Sequence, residues 1–133
     1  MTDVELLELA KMARKTAYVP YSGFHVGAAL LGKDGRVWTG CNVECATYGA
    51  TNCAERTAFF KAVSEGAREF EAIAVVGGKG EEPDALCTPC GICRQVMAEF
   101  CTGDFRIICG EAPEQKYTLE QLLPMSFSPK NLR

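Results

Sequence analysis

The chain has 133 residues, 47% of them hydrophobic, and a formal net charge of −3. That length supports one hydrophobic core, expected as a single domain over residues 1–133, and a negative balance without a Lys/Arg run excludes the clustered basic face that nucleic acid requires. No apolar run approaches the roughly 20 residues of a membrane span, and residues 1–17 scatter Asp3, Glu5, Glu8, Lys11, Arg14 and Lys15 among their apolar positions, so neither a span nor a secretory leader is expected. The expected compartment is the cytoplasm, where the eight cysteines read as reduced thiols rather than as the disulfide framework of a small secreted chain.

Thr2 or Asp3 can cap a helix over residues 4–17, in which Leu6, Leu9, Ala10, Ala13 and Ala17 make an apolar stripe at helical spacing. After a turn at residues 20–23, residues 24–31 read as a buried strand. Lys33, Asp34 and Gly35 turn the chain into a second strand over 36–43, so the two form a hairpin. A helix over 52–66 and a strand over 70–76 follow, then a Gly-rich, acidic loop to about residue 86. Pro89 marks the start of a helix reaching about residue 100, because proline is tolerated at a helix start and scarcely elsewhere in a helix. A strand over 105–109 is followed, after about five residues, by an extended stretch over 115–118. A parallel return needs about a dozen residues or more, so this last pair is predicted to be antiparallel. Thr118 can cap a short final helix over 119–123, ended by Pro124. The element order predicts an α/β fold with a mixed sheet and helices on both faces.

The chemistry concentrates in Thr51-Asn52-Cys53-Ala54-Glu55-Arg56-Thr57 and Pro89-Cys90-Gly91-Ile92-Cys93, each with cysteine where a helix is predicted to begin. Cys90 and Cys93, three apart on a helical first turn, present both sulfurs on one face. With Cys53 as third ligand they suit a tetrahedral zinc, one per chain. A catalytic zinc keeps its fourth position for water, whereas a structural zinc fills it with a fourth side chain. Cys87 leaves that choice open, since Cys53, Cys87, Cys90 and Cys93 could close a four-thiolate centre. Cys90 with Cys93 is preferred because both fall on the helix start after Pro89. Glu55 lies two residues after Cys53, a spacing that does not share a metal on a helix, yet it reaches a water at that metal as a general acid and base must.

Cys53-Ala54-Glu55 followed by Pro89-Cys90-Gly91-Ile92-Cys93 resembles the zinc-dependent cytidine deaminases, in the variant with three cysteines. Tyr21-Ser22-Gly23-Phe24, Gly40-Cys41-Asn42-Val43-Glu44, Tyr48-Gly49 and Leu123-Pro124-Met125-Ser126-Phe127 extend the likeness over nearly the whole chain, to the short, homotetrameric, nucleoside-acting members. The resemblance implies a three-layer α/β/α sandwich around a mixed five-stranded sheet. It places Cys53 and the Cys90/Cys93 pair at the N-terminal ends of neighbouring helices, whose partial positive charge lowers thiol pKa. It further implies hydrolytic deamination of cytidine and deoxycytidine to uridine and deoxyuridine with release of ammonia, a pyrimidine-salvage step, with Glu55 moving the protons.

The remaining roles are weighed in the same light. Three thiolates on a divalent zinc leave net negative charge, which Arg56 can offset by donating charge-assisted hydrogen bonds to a ligand sulfur, its alternative being an ordinary structural arginine. Asn42 and Glu44, two apart at the end of an extended segment, point the same way and offer an amide and a carboxylate. On residue types alone a turn role is equal, and the resemblance implies ribose recognition. It also implies that Phe24 walls the nucleoside pocket, that the backbone of Ala54 holds the pyrimidine, and that Tyr48 and Phe127 contribute to a neighbouring subunit's site in a homotetramer. His25, the single histidine, reads as structural, as do Cys41, Cys45, Cys101 and Cys109. Two alternatives stand beside this reading: a deaminase of a cytosine-containing antibiotic such as blasticidin S, and a non-catalytic zinc-stabilised binding module. Asn42, Glu44 and Phe127 favour the free nucleoside over the antibiotic, and Glu55 would have no purpose in a closed module.

Overall fold

The computed structural model describes residues 1–110 and 115–133. Helix α1 (Asp3–Arg14) starts at a reciprocal cap: Thr2 Oγ1 accepts from the Glu5 amide and the Glu5 carboxylate accepts from the Thr2 amide. It ends three residues before the predicted boundary. The amides of Thr16 and Ala17 turn back onto the carbonyls of Ala13 and Arg14, and Tyr18 then pairs with Val43. The buried face also differs from the predicted stripe, for it is Leu6, Leu7, Ala10 and Arg14, with Leu9, Ala13 and Ala17 only half-buried. A stripe drawn from apolar residues alone cannot include a buried arginine, and so shares Leu6 and Ala10 with the buried face but is rotated away from Leu7 and Arg14.

Among the described residues five strands form one sheet in the order β2-β1-β3-β4-β5, with β1 (His25–Gly32), β2 (Val37–Cys41), β3 (Phe70–Gly78), β4 (Arg106–Ile108) and β5 (Lys116–Thr118). The predicted hairpin is β1–β2, antiparallel in the register Ala29 to Thr39. Strand β2 stops at Cys41 rather than 43, leaving Val43 to bridge Tyr18 and Asn52. Strand β3 runs two residues beyond the predicted 76. The last pair, β4–β5, is antiparallel as expected; the short link between its strands, residues 111–114, lies outside the described residues. Helix α4 (Leu119–Leu122) follows, capped by Thr118 with Gln121 completing the reciprocal pair.

The order of strands decides where the chemistry can gather. Strands β2 and β3 are each antiparallel to β1 and therefore parallel to each other, while β3 and β4 pair in parallel directly. Helix α2 (Ala54–Ser64) carries the chain from β2 over β1 to β3, and α3 (Gly91–Phe100) carries it from β3 to β4. Both helices contribute to one core cluster on one face of the sheet. Because each begins beyond the C-terminal end of a strand, and those strands are parallel, the two helix starts meet at the same sheet edge.

Burial alternates accordingly. Ala28, Leu30, Ile73, Val75 and Ile107 face α2 and α3, whereas Ala29, Leu31, Ala72, Ala74, Val76 and Ile108 face α1. With both faces covered, β3 reads as an almost continuous apolar run. Phe59 of α2 is the hub of the first cluster, its ring 5.1 Å from Phe70 edge-on and 6.1 Å from Phe100 stacked. The layers are those of the expected α/β/α sandwich.

Candidate active site

Cys53 is the N-cap of α2 and Cys90 the N-cap of α3, both in extended backbone, and Cys93 lies in the first turn of α3. Pro89 stands just outside the helix it was predicted to open. Neither cap cysteine spends its sulfur on a helix amide. The sulfurs instead turn to each other, Cys53 to Cys90 at 3.7 Å and Cys90 to Cys93 at 3.4 Å. Four ligands at about 2.3 Å around a tetrahedral zinc stand about 3.8 Å apart, which the Cys53–Cys90 separation matches while Cys90 and Cys93 stand closer. All three lie within 4.8 Å of one another, and Cys87 is not part of the group.

The chain braces both starts. Glycine at position 40 lets α2 press onto β2, since a Cβ there would stand 2.5 Å from the Ala54 carbonyl oxygen and 2.7 Å from the Ala58 nitrogen. Asn52 Nδ2 donates to Thr57 Oγ1, which in turn donates to the carbonyl of Cys41 at the end of β2. On the other side Arg94 Nε donates to the Pro89 carbonyl at 2.8 Å and Nη1 to the Leu122 carbonyl at 2.7 Å, fixing the turn that presents Cys90. Asn52, Thr57 and Arg94 had no role legible in the sequence, because the Cys41 and Leu122 carbonyls that Thr57 and Arg94 meet are brought close only by the fold, and Asn52 acts through Thr57.

Arg56 Nη2 donates to Cys53 Sγ at 3.2 Å. Its Nε is buried without a hydrogen-bond partner among the described residues. Hydrogen bonding from Cys93, then from Arg56 and Cys90, pulls the Cys53 thiol down to about 5 against the effect of burial. The hydrogen bond shared with Cys53 raises Cys93 correspondingly. Glu55 is only 4% exposed. Burial, reinforced by the nearby Cys53 charge, pushes its carboxyl up to about 7. A soft, three-sulfur donor set with a protonatable carboxyl beside it fits a zinc site of the catalytic kind.

Ala54 is fully buried in the first turn of α2. Asn42 and Glu44 turn the same way, as expected, but are not free groups. Asn42 Oδ1 accepts from the Val26 amide at 2.9 Å and Nδ2 donates to the Phe24 carbonyl at 2.8 Å. The Glu44 carboxylate accepts from the amides of Tyr21 and Ser22 at 3.1 and 3.0 Å and from the Ser22 hydroxyl, which keep it ionised below the usual carboxylate range, the hydroxyl first. Together they hold the turn that presents half-buried Phe24. Glu44 also lines an open cavity of about 320 Å³ with Tyr21, Ser22, Tyr48 and Thr51. Tyr48 and Phe127 are exposed, the latter tethered by its carbonyl to Gln95 Nε2 at 2.7 Å.

His25 opens β1 opposite Gly78, and its carbonyl accepts from Arg14 Nε. All eight cysteines are free thiols. Burial, with the Glu55 charge adding, pushes Cys87 up to about 12, and burial likewise pushes Cys101 up to about 12. Cys109 is buried, Cys41 accepts weakly from Thr16, and Cys45 lies in the loop before Tyr48.

Residues 1–110 match the family described as the cytidine and deoxycytidylate deaminase zinc-binding region. The chain is 51% identical to a cytidine deaminase of Sporosarcina psychrophila over 98% of this chain and 95% of that one. It is also 51% identical to a cytidine deaminase of Halalkalibacterium halodurans, over 96% and 95%. The crystal structure of cytidine deaminase from Burkholderia pseudomallei superposes with a TM-score of 0.86 at 47% identity, covering 96% of this chain and all of that one.

Proposed function

The chain belongs to the cytidine and deoxycytidylate deaminase family, a zinc-dependent enzyme that hydrolyses cytidine to uridine and ammonia, and we propose how its own residues divide that work. Cys53, Cys90 and Cys93 hold the zinc. When bound, the metal supplies Lewis acidity that brings water within reach of deprotonation at neutral pH. Glu55 takes a proton from the attacking water, delivers it to N3 of the pyrimidine as the water oxygen bonds to C4, and passes the second proton to the amino group that leaves as ammonia. Arg56 withdraws charge from Cys53 and offsets the negative balance of three thiolates.

Phe24 walls the base, the Ala54 backbone holds it, and the remaining hydrogen-bonding capacity of Asn42 and Glu44 takes the sugar hydroxyls, with deoxycytidine a substrate beside cytidine. Tyr48 and Phe127 complete a neighbouring subunit's site in a homotetramer. The whole of residues 1–133 acts as one domain, in the cytoplasm, on a free nucleoside rather than on nucleic acid; no described helix is long and apolar enough to cross a membrane. The observation that carries the assignment of Glu55 is its burial in the first turn of α2, two residues from Cys53 of the three-sulfur cluster. Glu55→Gln is expected to keep one zinc per chain by metal analysis while kcat falls by about 10²- to 10⁴-fold or more. A zinc-loaded variant with near-normal turnover would remove Glu55 from the reaction.

A further inference from the structure

Gly77 lies in β3 opposite Val26, and its backbone is outside the left-handed region, so nothing in its conformation requires glycine. Space does. A Cβ at this position would stand 2.8 Å from Cys87 Sγ and 3.1 Å from both Phe24 Cε1 and Val26 Cγ2. Three side chains thus converge on the room that the missing side chain leaves. We propose that Gly77 and Cys87 form a packing pair that sets how far the Phe24 ring reaches into the nucleoside pocket, so that both are positioning residues for substrate binding.

The surroundings make Phe24 the part that yields. Cys87 is held through its amide, which donates to the Cys109 carbonyl at 2.8 Å, and the Asp84 amide ties the same segment to the Gly77 carbonyl at 2.8 Å. Val26 is locked in the sheet between Gly77 and the Asn42 side chain. The Phe24 backbone is fixed on both sides, its amide donating to Ser22 Oγ at 3.0 Å and its carbonyl accepting from Asn42. Crowding near Gly77 therefore goes into rotation of the half-buried Phe24 ring, which meets the added atom through its outer ring atom Cε1. Cores resist added volume because their neighbours cannot all move.

This rests on the reading of Phe24 as a pocket wall, and the experiment separates the two. KM and kcat for cytidine, zinc content and unfolding midpoint are measured for Phe24→Ala, Gly77→Ala, Cys87→Ala, Cys87→Val and the double variant Gly77→Ala/Cys87→Ala. Gly77→Ala is expected to raise KM about tenfold with kcat little changed and zinc retained. Cys87→Val, which adds volume from the opposite side, is expected to do the same. The double variant is expected to bring KM back to within about threefold of the natural value, because the added methyl enters room the sulfur has left. A Gly77→Ala chain that fails to fold while the double variant folds supports the pair; if neither folds, Cys87→Val against Cys87→Ala decides it by KM. Equal KM in the single and double Gly77 variants, or a natural KM in Cys87→Val, overturns the proposal while Phe24→Ala still raises KM. A natural KM in Phe24→Ala overturns the reading of Phe24 and the proposal with it.

Discussion

The sulfur cluster and the exposed aromatic residues Tyr48 and Phe127 are built in opposite ways. The cluster is braced from within the chain: Cys53 by Arg56, Cys90 through Arg94 and Pro89, and the start of α2 by Asn52 and Thr57. Tyr48, by contrast, is 73% exposed and meets Tyr21 edge-on at 5.9 Å, and Phe127 is 60% exposed. Metal chemistry tolerates little displacement, so it is placed on helix starts over a rigid sheet. Grip on a base is worth less per contact and can be supplied by a second surface.

The sharpest break between the two regions comes at the cluster. Cys90→Ala is expected to leave the purified chain without tightly bound zinc and without activity, whereas Cys87→Ala is expected to keep its zinc. Metal analysis of the two variants checks this, and the reverse pattern would move the centre to the other thiol pair. Arg56→Gln is expected to cost about 10- to 100-fold in zinc retention or turnover, the usual range for a group bonded to a ligand atom. Zinc release to a competing chelator is the direct readout, and natural values there and in kcat would return Arg56 to a purely structural role. Phe127→Ala is expected to raise KM about tenfold, since stacking on a base is worth about 1–3 kcal/mol, with the zinc untouched. Mixing Phe127→Ala chains with Glu55→Gln chains and reassembling them would then recover part of the natural KM. Recovery is impossible if each site uses only its own chain's Phe127, and a monomer by sedimentation would end the shared-site reading.

Legibility in the sequence followed the range of the interactions. The α4 cap at Thr118, the antiparallel final pair and the Lys33 to Gly35 hairpin depend on neighbours a few residues apart, and each appears where periodicity and turn residues place it. The sulfur ligands were readable because a helix start and a three-residue spacing are local features. Arg14 was not. It is 6% exposed and donates to the carbonyls of His25, Gly78, Gly80 and Glu81, acceptors that exist only once α1 lies over the end of β3. For Asn42 and Glu44 the residue types left a turn role and sugar binding equal, and the fold shows the turn role, engaging both with the turn from Tyr21 to Val26.

Read alone, the order of residues narrowed the metal donors to Cys53, Cys90 and Cys93 with Cys87 as a possible fourth, put Glu55 two residues from Cys53 and set the succession of helices and strands. The strand order decided the rest. Placing β1 between β2 and β3 makes those two parallel, and this is what brings Cys53 and Cys90, 37 positions apart in the chain, to 3.7 Å at one sheet edge. Only then does Glu55 lose its water, and a carboxyl that would ionise freely on a surface helix is held where it can carry a proton.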